Sequence, residues 1–223
     1  VGNLANTEKI TQILIDAVNR ADTVFVDNFY FYKAPTSSTD VVFITELADP
    51  GDGASVRYIE LYNGGSSSVD LTGWRIDKYT NASSTVSQTI ELSGTVSAGE
   101  FYIIATGSED SEFFDTWGIT PNQWDGSAAN VAGGNGDDNL EVYNASETLV
   151  DQFGVPGEDG SGTDHEFENG RAERKASVTQ GNPTWDVNEW NIEADGPLNI
   201  ADDNGFDPGV WIGEGTAGLD DQD

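Results

Sequence analysis

Val41-Val42-Phe43-Ile44-Thr45-Glu46-Leu47, the turn cluster Asp49-Pro50-Gly51-Asp52-Gly53 and Arg57-Tyr58-Ile59-Glu60-Leu61-Tyr62 stand in succession, and their reading decides the fold class. The two flanks are strand-sized and rich in β-branched and aromatic side chains, while the middle is made of residues that tight turns favour. The alternation continues through Asn63-Gly64-Gly65, Val69 to Lys78, Gln88 to Leu92, Phe101 to Thr106, Asn139 to Asn144 and Leu149 to Phe153. Short strands at this spacing, with no sustained helical period, predict an antiparallel sandwich or barrel. Only Glu109 to Trp117 has room for a short helix, and no long internal repeat is present.

Upstream, residues 1–34 hold two strand candidates, Ile10 to Ile15 and Thr23 to Tyr32. The first also fits a helical period through Ile10, Ile13, Leu14 and Ala17, with Thr7 as N-cap. Residues 35–40 read as a linker, because Pro35 and the small polar residues after it mark a break. A chain that opens at Val1 on such sequence is expected to be the processed or excised end of something longer. Residues 193–223 are rich in Gly, Asp, Asn and Pro and read as an extension with an ordered start and a frayed acidic end.

Forty acidic residues against nine basic ones give a net charge of −31. That opposes attraction to nucleic acid or anionic lipid, both polyanions. Two readings of the charge stand together. One is a salt-rich, marine-like milieu, where the Debye length falls to about 3 Å at 1 M. The other is Ca2+ held by some of the carboxylates. The absence of cysteine excludes disulfides, thiol chemistry and thiolate zinc sites. The lone histidine, His165, excludes a site with two imidazoles in one chain. No apolar run approaches the ~20 residues of a membrane helix, so membrane insertion is not expected.

Ile44 to Leu47, Tyr58 to Asn63 and Val69-Asp70-Leu71-Thr72-Gly73-Trp74 together resemble the opening of a lamin-tail domain of the bacterial type. The likeness continues through Val96 to Ile104, Gly136 to Tyr143 and Leu149 to Gly154. It closes on Gly170 to Ala176 and Asn188 to Trp190, so it covers roughly 41–192. The resemblance implies an all-β, immunoglobulin-like antiparallel β-sandwich with Trp74 in its core. It also implies placement in a secreted or cell-surface multidomain protein and no catalysis. Ile10 to Ile15 with Thr23 to Tyr32 resembles the last two strands of a jelly-roll carbohydrate-binding module, which favours strand over helix and makes residues 1–34 a hairpin-like extension. In that family Asp27 would help ligate a calcium, but its partner ligands belong to strands absent from this chain. Two strands cannot bury their faces alone, so a neighbouring copy completed by strand addition is an expected partner.

Ca2+ takes about six to eight oxygens from carboxylates, amides and carbonyls, and four acidic loops offer them. The ligand candidates are Asp49 and Asp52, Asp137 and Asp138, Asp159 and Asp164, and Asp202, Asp203 and Asp207. None of the loops has EF-hand spacing, and Asp, Asn and Gly also favour plain turns. No carboxylate pair is framed by a motif, and no serine sits in a G-x-S-x-G context beside His165, so no catalytic residue is assigned. Trp124 and Trp117 are candidates for stacking on sugar rings, against the alternative of packing in the core. Arg171, Arg174 and Lys175 are read as internal ion-pair partners. The leading function is a non-catalytic structural or adhesive module of the cell surface, binding a protein partner or a copy of itself. The alternatives are a polysaccharide-binding accessory module and a nuclease-associated, DNA-contacting module, which the charge disfavours.

Overall fold

The computed structural model describes residues 41–108, 111–194 and 205–214, all within the second of two units, 35–223. The candidate strands before Ala34, the linker 35–40, Asp27, Asp202 and Asp203 lie outside the described residues. Among the described residues, twelve strands and two short α-helices follow in order. They are β1 (Val42–Ala48), β2 (Tyr58–Asn63), β3 (Val69–Asp70), β4 (Arg75–Tyr79), β5 (Gln88–Glu91), β6 (Thr95–Val96) and β7 (Phe101–Ala105). Then come α1 (Ser111–Trp117), β8 (Gln123–Trp124), the helical turn α2 (Gly126–Ala129), β9 (Asn139–Tyr143), β10 (Leu149–Phe153), β11 (Arg171–Arg174) and β12 (Trp190–Glu193).

The strands form an all-β, immunoglobulin-like sandwich. One sheet runs β12-β11-β1-β2-β7-β8 and the other β10-β9-β4-β5, with β3 and β6 paired separately. Among the described residues, every pairing is antiparallel except that of β7 with β8. Between the sheets lies one apolar core. Val42, Ile44, Leu47, Ile59, Leu61 and Ile104 come from the first sheet, and Trp74, Ile76, Val142 and Phe153 from the second sheet and its approaches. Trp74 is 3% exposed, as a core tryptophan should be.

Val69 to Lys78, expected as one strand, is two. Asp70 Oδ1 accepts the Thr72 N–H at 2.9 Å, and Gly73 takes φ +83°, a conformation that side chains resist. The chain therefore turns after β3 and enters the second sheet as β4.

The first sheet is covered on both faces. In β1 the register moves from Ile44 opposite Leu61 to Glu46 opposite Glu60. This bulge leaves both Thr45 and Glu46 on the outer face and returns Leu47 to the core. Outward, α1 and its neighbours close one end, where Phe113 packs with Val56, Tyr58 and Ile103. Residues 205–214 form a strap over the other end, with Trp211 seated between Phe43 and Tyr62. This double cover explains why β1 and β2 are buried along their whole length.

Candidate functional site

The loop carboxylates divide between ties within the fold and exposed turns. Asp49 is fully buried; Oδ1 meets Arg57 Nε at 2.5 Å and Oδ2 accepts the Asn169 N–H. Burial raises its pKa, with Arg57 opposing. Asp52 is exposed. Asp138 is buried, accepting the Asn81 N–H at Oδ1 with Lys78 Nζ 3.5 Å from Oδ2. Asp159 and Asp164 are exposed at the loop surface, and Asp159 Oδ1 accepts the Ser161 N–H.

Two of these loops converge. Gly160 donates its N–H to the Asp137 carbonyl at 3.1 Å, in a contact so close that a Cβ at Gly160 would lie 2.6 Å from that oxygen. Asp137 is 5% exposed. Its Oδ2 accepts from Asn81 Nδ2 and Ser161 Oγ, while Oδ1 has no hydrogen-bond donor among the described residues. Burial, then Asp138 and Asp159, hold its pKa up. Among the described residues, no three His, Asp or Glu side chains form a group that could hold a metal ion.

A second acidic constellation lies on the outer face of the first sheet, at residues that sequence reading passed over as ordinary strand positions. Glu46, Glu60 and Glu173 are almost wholly buried there, and Asp207 of the strap joins them. Tyr58 Oη donates to Glu46 Oε2 at 2.8 Å and Thr45 Oγ1 to Glu60 Oε1 at 2.6 Å. The Gly209 N–H donates to Glu60 Oε2 at 2.7 Å. Arg171 is the cation placed among them, 3.8 Å from Glu46 and Asp207 and 3.6 Å from Glu173. Those separations are ionic contacts and not direct hydrogen bonds. Burial pushes Glu60 up to about 8, against its two donors. It pushes Asp207 up to about 6, against Arg171. Glu46 is raised well above the carboxylate range by burial and then by Glu60. Of the candidate metal ligands only Asp207 belongs to this group. The signal in the sequence is glutamate within the otherwise apolar runs of β1 and β2.

Of the basic cluster, the two arginines form ion pairs within the fold. Arg174 binds Asp151 and Glu189, and Arg171 sits as described. Lys175 Nζ donates to the Asn188 carbonyl. On the second sheet, Arg75 of β4 pairs with Asp77 and Glu147.

The two candidate sugar-stacking rings are half-buried and both pack against Phe113. Trp117 Nε1 donates to the Val56 carbonyl at 3.0 Å, and the ring meets Tyr58 and Phe206. Trp124 stands edge-on to Phe113 with centroids 5.8 Å apart. His165 is 1% exposed and packs against Phe153 and Trp185. Its Nδ1 lies 3.0 Å from Thr163 Oγ1, and burial lowers its pKa. A cavity of about 20 Å³ beside Lys78 and Asp138 has room for about one water and not for a sugar ring.

The family model described as Lamin Tail Domain matches residues 35–157. β11 and β12 lie beyond that match yet extend the same sheet as β1. No curated protein matches the chain.

Proposed function

This chain belongs to the lamin tail domain family, and on that footing we propose that it is a non-catalytic structural or adhesive module of a secreted or cell-surface protein. The observation that carries the reading is the double cover of the first sheet. Ligand sites are ordinarily concave and largely preformed, but here the outer sheet face is filled by α1 and by Trp211 of the strap. Placement outside the cell is supported by the secreted context that the resemblance to bacterial members implies. The partner on this reading is a protein surface or a second copy of the chain.

The test is sedimentation of the intact chain over a range of concentrations, with retention on immobilised polysaccharides measured in parallel. Self-association or capture of a defined protein partner without glycan retention supports a structural or adhesive module. Retention on a polysaccharide that disappears with Trp124→Ala would replace this reading with that of a glycan-binding accessory module. Turnover of a glycan or phosphodiester, lost on substitution within the chain, would overturn it.

Calcium belongs to the proposal at one place, the junction of the Asp137 and Asp159 loops. Support comes from the buried Asp137 Oδ1, which has no donor among the described residues, and from the tight approach of Gly160. Carbonyl and amide oxygens of the two loops would supply the remaining ligands that so few carboxylates leave open.

A further inference from the structure

The strap, residues 205–214, is held to the outer face of the first sheet by directional contacts. Trp211 is 1% exposed, and its Nε1 donates to the Arg174 carbonyl at 2.6 Å. Its ring packs on Phe43 and Tyr62, with centroids 5.5 and 5.3 Å apart. Arg171 Nη1 donates to the Gly205 carbonyl. The strap's own N–H at Gly209 is given to Glu60.

The charge beneath it is unbalanced. Glu46 of β1, Glu60 of β2 and Glu173 of β11 face the strap, which adds Asp207 and, near it, Glu214. Tyr58 contributes a neutral donor. Arg171 is shared further with half-exposed Glu193 of β12, 3.8 Å away. Ionised together, the carboxyls would set several negative charges against the Arg171 guanidinium in a place from which the strap excludes water. Such charge is costly in a low-dielectric site. Lifting the strap relieves the cost twice, by hydrating the three glutamates and by carrying Asp207 away from them.

We propose that the strap is a proton-operated latch, closed while the carboxyls beneath it retain protons and lifted from the sheet as they ionise. The raised values at Glu60 and Asp207 agree in direction. A carboxyl that ionises near its ordinary value when uncovered, and well above it when covered, favours the covered form at low pH. That preference declines as pH rises between the two values.

Hydrogen exchange of the full chain, read by mass spectrometry on fragments covering 205–214 and on fragments from β1 and β2, tests the latch. Protection is corrected at each pH for the intrinsic exchange rate. Between about pH 5 and pH 9, strap protection should fall at least about tenfold, the change that one unit of differential pKa produces, and at the alkaline end β1 and β2 should remain far better protected than the strap. Glu60→Gln, whose amide can accept from Gly209 and donate to Thr45, should remove most of the fall. Asp207→Asn, on a half-exposed side chain, should remove a smaller part and decides the matter if the first variant does not fold. Strap protection independent of pH, equal protection of the strap and of β1 and β2 at the alkaline end, or an undiminished fall in the folded variants would overturn the proposal.

Discussion

Arg174 and Asp151 meet between the two sheets, with Nη2 2.5 Å from Oδ2 and neither side chain exposed to water. Their remaining valences are also used. Asp151 Oδ2 accepts the Ile44 N–H and Oδ1 the Asn182 N–H. Arg174 Nε donates to the Ile44 carbonyl, Nη1 to Glu189, and the guanidinium lies 4.0 Å from the centre of the Trp190 ring. The pair thereby joins β10 of one sheet to β1 and β11 of the other.

Breaking this pair should be among the most damaging single changes. Removal of one partner leaves a buried charge without its counterion, at about 3–5 kcal/mol. Asp151→Ala or Arg174→Ala should therefore lower the unfolding free energy by that order in urea titration, with retained secondary structure if any folded fraction survives. A loss below about 1 kcal/mol would show that the site rehydrates easily.

Thermal unfolding with about 5 mM Ca2+ and with excess EGTA, at matched ionic strength, addresses the Asp137 junction. A ligand bound only to the folded state raises the midpoint by mass action. The expected result is a higher midpoint with Ca2+, abolished by Asp137→Asn. Equal midpoints would leave these loops as turns.

A net charge of −31 makes the folded state repel itself, and salt screens that repulsion. Raising NaCl from about 0.05 to 1 M should raise the midpoint in the presence of EGTA, at fixed pH. Insensitivity to salt would mean that the exposed carboxylates are too well separated to matter.

Global stability should also fall from about pH 6 to pH 9. Glu60 ionises near about 4.3 in an unfolded chain and at about 8 in the fold. Its contribution is full below the first value and is lost as pH rises through the second, on the order of a few kcal/mol. His165 acts in the opposite sense, because burial lowers its pKa; its contribution is full above about 6.5 and is lost as pH falls. Denaturant midpoints from about pH 4 to pH 9 check both directions, and Glu60→Gln should flatten the alkaline side.

The strands of the sandwich were legible because period, turn residues and β-branched composition act locally. β2, β7, β9 and β10 fall within a residue of where Arg57 to Tyr62, Phe101 to Thr106, Asn139 to Asn144 and Leu149 to Phe153 suggest. The division at Gly73 was hidden because Leu71 and Trp74 continue the apolar pattern through the turn. The outer-face carboxylates were illegible for a different reason. Glu46 and Glu60 become neighbours only through the β1 bulge, and Arg171 reaches them from a distant part of the chain. The strap was missed because Gly, Asp and Pro around Trp211 have the composition of a tail, and only the slot between Phe43 and Tyr62 gives that tryptophan a place.

The strap also fixes the order in which the molecule yields to tension. Among the described residues, force transmitted from the C-terminal side reaches Trp211 and the Gly209–Glu60 bond before any strand, and loads those contacts one at a time, as in peeling. Behind the strap the next described strand is β12, paired only with β11 at the sheet edge, whereas β1 is held between β11 and β2 in the interior, where its ladder must be sheared as a whole. A pull would therefore extract a short length of chain at low load while the sandwich remains intact, giving the domain a built-in extension step ahead of its rupture.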